Sequence, residues 1–169
     1  MTTLNLRALK LRPGEEYRDE HEVELAPLEL GGERYLPVPE LVAASVVVSR
    51  VSSGTVFSLS FPLRLHGPCY RCLKDAVLDL EVSSREYQAT SPEESEELRS
   101  PYVQDDRLDL SAWARDAVAL MLPDKILCRP DCAGLCPVCG RDLNLEPHEH
   151  EEDRDDPRWA ALAELKDRL

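Results

Sequence analysis

A cysteine-rich stretch in the last third of the chain limits what this sequence can fold into. Four of the six cysteines fall between Cys128 and Cys139, with glycines and a proline among them. A tetrahedral zinc ion takes four sulfur or imidazole ligands at about 2.0 to 2.3 Å, and ligand pairs two or three residues apart suit it. Pro137 fixes one backbone angle between the last two cysteines, and Gly140 permits a positive φ directly after them. The stretch therefore predicts a metal site.

The spacing alone leaves open which four groups close the ligand shell. Cys128 and Cys132 are the nearest partners for the Cys136–Cys139 pair. The competing ligands are Cys69, Cys72, His148 and His150. A His-x-His pair in an acidic run is more often exposed than liganded, but a nearby Cys-x-x-Cys pair favours liganding. A disulfide or inert thiols are the alternatives to a metal; since no signal peptide follows Met1, we expect a reducing compartment.

Composition and charge restrict the class of protein and its partners. Hydrophobic residues make up 43% of the chain and charged residues 31%, which is typical of a globular domain. The longest apolar run, residues 41–48, is too short to span a membrane, so we expect a cytoplasmic protein without a membrane partner. The formal net charge of −13 disfavours general nucleic-acid binding, because phosphates would be repelled at long range.

A local basic face near the cysteines is still compatible with this acidic chain. Five basic residues are the candidates for contact with RNA or another partner: Arg64, Arg71, Lys74, Arg129 and Arg141. The acidic residues concentrate elsewhere, in residues 15–40, 93–109 and 142–156. Runs of like charge are usually solvated surface.

The first half of the chain has the period-two pattern of β-strands. Residues 2–13 predict a strand, residues 17–25 an edge strand, and residues 41–51 and 55–65 a hairpin around Ser52-Ser53-Gly54. One face of the hairpin's second arm is apolar and should line the core; it comprises Phe57, Leu59, Phe61, Leu63 and Leu65. Alternation resumes after Cys72 with Ala76, so the Cys69-x-x-Cys72 pair should lie in a turn between strands.

The second half predicts helices on either side of the cysteine-rich stretch. Residues 90–107 are rich in Ser, Pro and Glu and predict a flexible acidic loop. Asp109 or Ser111 can cap a helix that ends before Pro123, with an apolar stripe formed by Leu110, Trp113, Ala114, Ala117, Leu120 and Met121. Another apolar stripe, on Trp159, Leu162, Leu165 and Leu169, predicts a C-terminal helix.

These elements predict an α+β fold, a mostly antiparallel β-sheet or partial barrel with one packed helix and a C-terminal zinc-binding tail. We expect three segments. Residues 1–123 form the α+β body, residues 124–150 a cysteine-rich zinc module, and residues 151–169 an acidic linker and the C-terminal helix.

Two catalytic interpretations of the cysteines compete with a structural one. A dithiol redox site needs a thiolate stabilised by a helix N-terminus, and no helical pattern follows Cys72. A zinc hydrolase or deaminase needs an open ligand position and a nearby Glu, such as Glu149. The order of motifs here is the reverse of the deaminase order, and four thiolates would leave no open position. We therefore expect no enzyme activity and no small-molecule substrate.

The order of motifs from Leu65 onward resembles the bacterial YceD family. The motifs are C-x-R-C-L after a strand, an acidic loop, L-D-L before a helix that closes on L-P-x-K, L-C-x-x-x-C-x-G-L-C-P-x-C-G-x-x-L-N, and D-P-R-x-x-x-L. In many members the long motif is followed by Cys-x-Cys, where this chain has His148-Glu149-His150. Some members keep the earlier Cys-x-x-Cys without the later cluster. From this resemblance we assign a structural zinc to Cys128, Cys132, Cys136 and Cys139.

The resemblance also implies a function, because members of the family are described as large-subunit ribosomal RNA accumulation proteins. It implies a non-catalytic accessory role in ribosome biogenesis, close to a ribosomal protein or large-subunit ribosomal RNA. Because the chain carries a net charge of −13, we expect its direct binding to RNA to be weak.

Overall fold

The structure is a computed structural model that describes residues 2–91 and 96–150. The middle of the predicted acidic loop and the predicted C-terminal helix lie outside the described residues. The chain divides into two compact units, one up to Cys132 and one from Ala133. This division falls inside the cysteine-rich stretch, whereas the sequence places the segment boundary at residue 123.

The first unit is built mainly of antiparallel strands. Its strands are β1 (Thr3–Asn5), β2 (Glu16–Glu24), β3 (Leu28–Leu30), β4 (Glu33–Pro37), β5 (Leu41–Arg50), β6 (Gly54–Pro68), β7 (Asp75–Ala89), β8 (Val103–Gln104) and β9 (Arg107–Asp109). Its helices are α1 (Leu6–Leu9) and α2 (Leu110–Met121), with a short 3₁₀ helix at Glu96–Leu98. The α+β class and the mostly antiparallel sheet are confirmed.

Strand β6 organises the larger sheet. Along its whole length one edge pairs with β7, from Gly54 opposite Ala89 to Pro68 opposite Asp75. The other edge is shared, because β5 pairs with its first part and β4 with its last. Strand β2 lies at the sheet edge beyond β5, as predicted. The described strands do not close into a barrel.

The predicted hairpin and its apolar face are confirmed. Strands β5 and β6 pair with Val48 opposite Phe57. All five residues of the predicted face of β6 are buried: Phe57, Leu59, Phe61, Leu63 and Leu65. Burial of one face at period two fixes the register, since a slip by one residue would move this face into water.

Helix α2 covers the core and begins where the sequence predicts. The Asp109 carboxylate accepts the N–H of Ala112 at 3.0 Å, which satisfies one of the free donors at the helix start. Trp113 is 1% exposed, and its Nε1–H donates to Ser84 Oγ of β7 at 2.9 Å. The stripe ends earlier than predicted, because Leu120 and Met121 are exposed while Val118 is buried.

The predicted strand over residues 2–13 is wrong after Asn5. The Asn5 side chain accepts the N–H groups of Arg7 and Ala8, at 3.1 and 3.3 Å, and starts the one-turn helix α1. Asn favours this capping geometry. Lys10 then ends the helix with a left-handed backbone (φ +48°).

Candidate metal centre

The first Cys-x-x-Cys pair lies in the turn that joins β6 to β7. The turn is closed by two backbone hydrogen bonds, from Cys69 N–H to Lys74 O at 2.7 Å and from Leu73 N–H to Cys69 O at 3.0 Å. Leu73 adopts a positive φ of 59°, which lets the chain reverse direction after Cys72. Both cysteines are buried, at 0% and 5% exposure. The sequence prediction of a turn between strands is therefore confirmed.

The chain segment after α2 folds against this turn and brings a second cysteine pair to it. Tyr70 N–H donates to Ile126 O at 2.8 Å, and the Ile126 side chain is buried. Arg71 Nη1 donates to the carbonyl oxygen of Cys132 at 2.6 Å. These two contacts place Cys128 and Cys132 opposite the turn. We call the four residues Cys69, Cys72, Cys128 and Cys132 the thiol clasp.

The sulfur atoms of the thiol clasp have the spacing of ligands around one tetrahedral ion. Cys69 Sγ lies 3.8 Å from Cys132 Sγ, and Cys72 Sγ lies 3.6 Å from Cys128 Sγ. All four sulfurs lie within 4.8 Å of one another. Across a tetrahedral zinc with bonds of about 2.3 Å, two sulfurs are about 3.8 Å apart. All six cysteines are free thiols, because a disulfide needs sulfurs at about 2.05 Å.

The electrostatics of the thiol clasp also suit a cation. Burial alone would raise the pKa of Cys69, but the N–H groups of Cys128, Cys72 and Arg71 outweigh it and lower the pKa to about 6. Burial, together with the sulfurs of Cys132 and Cys69, raises the pKa of Cys72. The Cys69 sulfur is thus readily ionised and the Cys72 sulfur is not. A divalent cation among them would favour the thiolate form of all four.

The remaining predicted ligands form a separate group in the second unit. The donor atoms of Cys136, Cys139, His148 and His150 lie within 4.8 Å of one another. The structure therefore divides the four predicted zinc ligands into two pairs. It brings Cys128 and Cys132 to the alternative ligands Cys69 and Cys72, and Cys136 and Cys139 to the alternative ligands His148 and His150.

The predicted basic residues are largely occupied by local partners. Arg64 contacts Asp79 through Nε at 2.6 Å. Arg129 lies 3.4 Å from Asp131, and Arg141 lies 3.1 Å from Glu146. Arg71 binds the Cys132 carbonyl oxygen, as described above. Lys74 is exposed and its backbone carbonyl closes the cysteine turn.

The predicted contact residues do not include an aromatic and a lysine that lie beside the thiol clasp. Tyr70 is 47% exposed, and Lys125 Nζ lies 5.0 Å from the centre of its ring, in a cation–π contact. Leu73, in the same turn, is 58% exposed. The signal available in the sequence was the position of Tyr70 and Leu73 on either side of Cys72, where a tight turn forces some side chains outward.

The comparisons with known proteins agree with the motifs. Residues 57–166 match the family model described as "Large ribosomal RNA subunit accumulation protein YceD". An uncharacterized protein of Mycobacterium tuberculosis is 35% identical, with 96% of this chain and 80% of that protein covered. The uncharacterized protein YlbN of Bacillus subtilis is 29% identical, with 84% of this chain and 81% of that protein covered. No solved structure matches the chain.

Proposed function

The chain belongs to the YceD family of large ribosomal RNA subunit accumulation proteins, and on that basis we propose that it is a non-catalytic accessory factor in large-subunit ribosomal RNA accumulation. The single observation that carries the proposal beyond family membership is the convergence of four cysteine sulfurs from two separate loops. Such a site stabilises a docking surface without performing a reaction. A role in ribosome biogenesis would place the protein in the cytoplasm. Among the described residues, no helix has the length and apolar character needed to cross a bilayer.

In this proposal the thiol clasp holds a structural zinc ion. Zinc would neutralise part of the thiolate charge and link the β6–β7 turn to the segment after α2. With Cys69, Cys72, Cys128 and Cys132 all bound, a tetrahedral ion has no position for water or substrate. Closed tetrathiolate sites are typical of structural zinc. The sulfur spacing of 3.6 to 3.8 Å supports this ligand set over one made from four consecutive cysteines.

The zinc ion would stabilise an exposed surface at the tip of the β6–β7 turn. Tyr70, Leu73 and Lys125 present an aromatic, an aliphatic and a cationic side chain there. A surface of this kind suits contact with a ribosomal protein, with large-subunit ribosomal RNA, or with both. Because the chain as a whole carries a charge of −13, the RNA share of this contact should be small.

The alternatives are a zinc-dependent hydrolase and a dithiol redox protein. A hydrolase needs an open ligand position, which four thiolates do not leave. A redox pair would use the sulfurs of Cys69 and Cys72 as mutual partners. Here the sulfurs also meet across the two loops, with Cys69 Sγ 3.8 Å from Cys132 Sγ and Cys72 Sγ 3.6 Å from Cys128 Sγ. This crossed arrangement favours ligands around one ion.

The experiment that tests the proposal is affinity capture of the full chain from cells that encode it, followed by identification of bound RNA and protein. We expect large-subunit ribosomal RNA or ribosomal proteins to be enriched. A Cys72→Ser/Cys128→Ser variant should lose most of this enrichment, because the turn is no longer tied to the second loop. A Ser60→Ala variant, changed on an exposed part of β6, is the matched control. Capture without any ribosomal component would contradict the proposal.

A further inference from the structure

Two cysteines and two histidines outside the thiol clasp lie close together in the second unit. We propose that Cys136, Cys139, His148 and His150 bind a second zinc ion, so that the chain carries two independent sites. The donor atoms of all four residues lie within 4.8 Å of one another, as around a single ion. Two sulfurs and two imidazole nitrogens are a common tetrahedral ligand set for zinc.

The backbone around Cys136 and Cys139 forms a turn that presents both sulfurs on one side. Gly140 N–H donates to Cys136 O at 2.8 Å, and Cys136 N–H donates to Arg141 O at 2.8 Å. Gly140 has a φ of +72°, which a residue with a side chain rarely adopts. The turn continues as a small hairpin, with Leu143 N–H bonded to Gly134 O at 2.9 Å. These backbone bonds hold the Cys-x-x-Cys pair at ligand spacing.

His148 is oriented as a zinc ligand. Its Nδ1 lies 2.7 Å from the carbonyl oxygen of Glu146. Because a carbonyl only accepts, Nδ1 must carry a proton, and in the neutral imidazole the Nε2 lone pair is then available to a metal. A backbone carbonyl that fixes the tautomer in this way is the usual second partner of a metal-bound histidine. Nε2 faces the metal-ligand group, 3.1 Å from Cys139 Sγ.

A zinc ion fits between these atoms with a small adjustment. In a tetrahedral site a sulfur and a nitrogen ligand lie about 3.6 Å apart, so Cys139 and His148 would separate by about half an ångström. Both side chains have room to move, since Cys139 is exposed and His148 is half-buried. His150 completes the group; its ring lies edge-on to that of His148, with 4.9 Å between centroids.

The two sites should differ in how firmly they hold zinc. Three of the four cysteines in the thiol clasp are buried, whereas only Cys136 is buried in the second site. Water and competing chelators therefore reach the second site more easily. Two of its ligands are also neutral imidazoles, which compensate less of the zinc charge than thiolates do. We expect the second zinc to be removed first when a chelator is added.

Zinc stoichiometry and thiol accessibility of the reduced full chain test this inference. We expect native mass spectrometry to find two zinc ions per chain and a thiol reagent to find no reactive cysteine. A His148→Ala/His150→Ala variant should hold one zinc and expose two reactive thiols, identified as Cys136 and Cys139 by peptide mapping. The chain offers a matched control in its two other histidines. His21→Ala/His66→Ala should keep both zinc ions.

The second zinc site is proposed within the proposed function, but the results of this experiment test the two separately. One zinc in the unchanged chain, with reactive Cys136 and Cys139, would overturn the second site while leaving the thiol clasp intact. One zinc with reactive Cys69 and Cys72 would instead support a single site on the other four cysteines, and would overturn both ligand sets proposed here. Two zinc ions retained in the His148→Ala/His150→Ala variant would also overturn the second site. None of these results depends on capture of ribosomal components.

Discussion

The β6–β7 turn is held in position by a hydrogen bond from Tyr35 and by close packing of its ring against Gly67. The Tyr35 ring is 1% exposed, and its hydroxyl donates to Pro68 O at 2.9 Å, one residue before Cys69. The ring lies against Gly67, where an added Cβ atom would overlap it. Gly67 is therefore needed for close approach of the ring, and the ring in turn anchors the residue before the first cysteine.

We predict that Gly67→Ala lowers the free energy of unfolding by about 1 to 3 kcal/mol, because a methyl group is forced into a packed contact. Urea denaturation of the zinc-loaded chain measures the loss. Ser60→Ala, on an exposed position of the same strand, should change the unfolding free energy by less than about 0.5 kcal/mol. If the two variants were equally stable, the contact between Gly67 and Tyr35 would not be close-packed.

Residue spacing identified the candidate metal ligands but could not predict how they are grouped in the structure. The turn geometry at Cys69 and at Cys136 follows from local signals, a Cys-x-x-Cys pair with Gly or Pro nearby. The pairing of Cys69 with Cys132 depends on contacts between segments far apart in sequence, such as Tyr70 N–H to Ile126 O. No local pattern carries that information. From sequence alone, four cysteines close together in the chain are expected to bind one ion. Only the fold shows that they belong to two different groups.

At the scale of elements, the start of α2 depends on one carboxylate. Asp109 is the last residue of β9 and also accepts the N–H of Ala112, so the strand passes directly into the helix. Helix α2 then places Trp113 against β7. One short segment, residues 109–113, thus contains both the cap of α2 and the contact of Trp113 with the core.

We predict that Asp109→Ala lowers the free energy of unfolding by about 1 kcal/mol, since a helix N–H loses its acceptor. Asp109→Asn is the matched control, because it keeps an acceptor oxygen and should stay close to the original stability. Thermal or urea unfolding followed by far-UV circular dichroism makes the comparison. Equal losses in both variants would show that charge, rather than the hydrogen bond, matters at this position.

Elements with strong periodicity were predictable, and short elements set by side-chain capping were not. Strand β6 carries five apolar residues at period two, and its burial follows from that pattern. Helix α1 has four residues, which are too few for a helical period to show in the sequence. It depends instead on the Asn5 side chain. Helix α2 ends before Pro123 as predicted, but Leu120, which the sequence places in its apolar stripe, lies on the solvent side of the last turn.

At the scale of the whole molecule, most of the apolar core packs independently of the candidate metal ligands. The core of the first unit is lined by strand and helix residues such as Val46, Phe57 and Trp113, which need no metal to pack. The thiol clasp joins only the β6–β7 turn and the segment after α2. We therefore expect the sheet to survive when the metal is removed.

We predict that a strong chelator under reducing conditions leaves the far-UV circular dichroism of the sheet largely unchanged. It should make the chain between residues 122 and 150 sensitive to protease, because the loops lose the ion that links their sulfurs. Limited proteolysis with mass spectrometry locates the cuts, and restored zinc should protect the segment again. Global unfolding on chelation would mean that the metal contributes to the core itself.

The net charge of the whole chain predicts how strongly the protein binds RNA. The formal net charge is −13, and three of the five predicted contact cations, Arg64, Arg129 and Arg141, each lie beside a carboxylate, which weakens their attraction for phosphates. Binding of the purified chain to a large-subunit ribosomal RNA fragment should be weak. The contacts that do form are electrostatic, so the affinity should fall further as salt is raised.

Fluorescence anisotropy over a salt series tests this prediction, and Lys125→Gln serves as the informative variant because Lys125 lies over the Tyr70 ring. It should weaken the residual RNA binding, while Lys10→Gln, a change of the same kind in the C-cap of α1, should not. Tight binding that persists at high salt would show that shape or base recognition dominates. RNA would then be the principal partner. A ribosomal protein would not be needed to explain how the chain reaches its site of action.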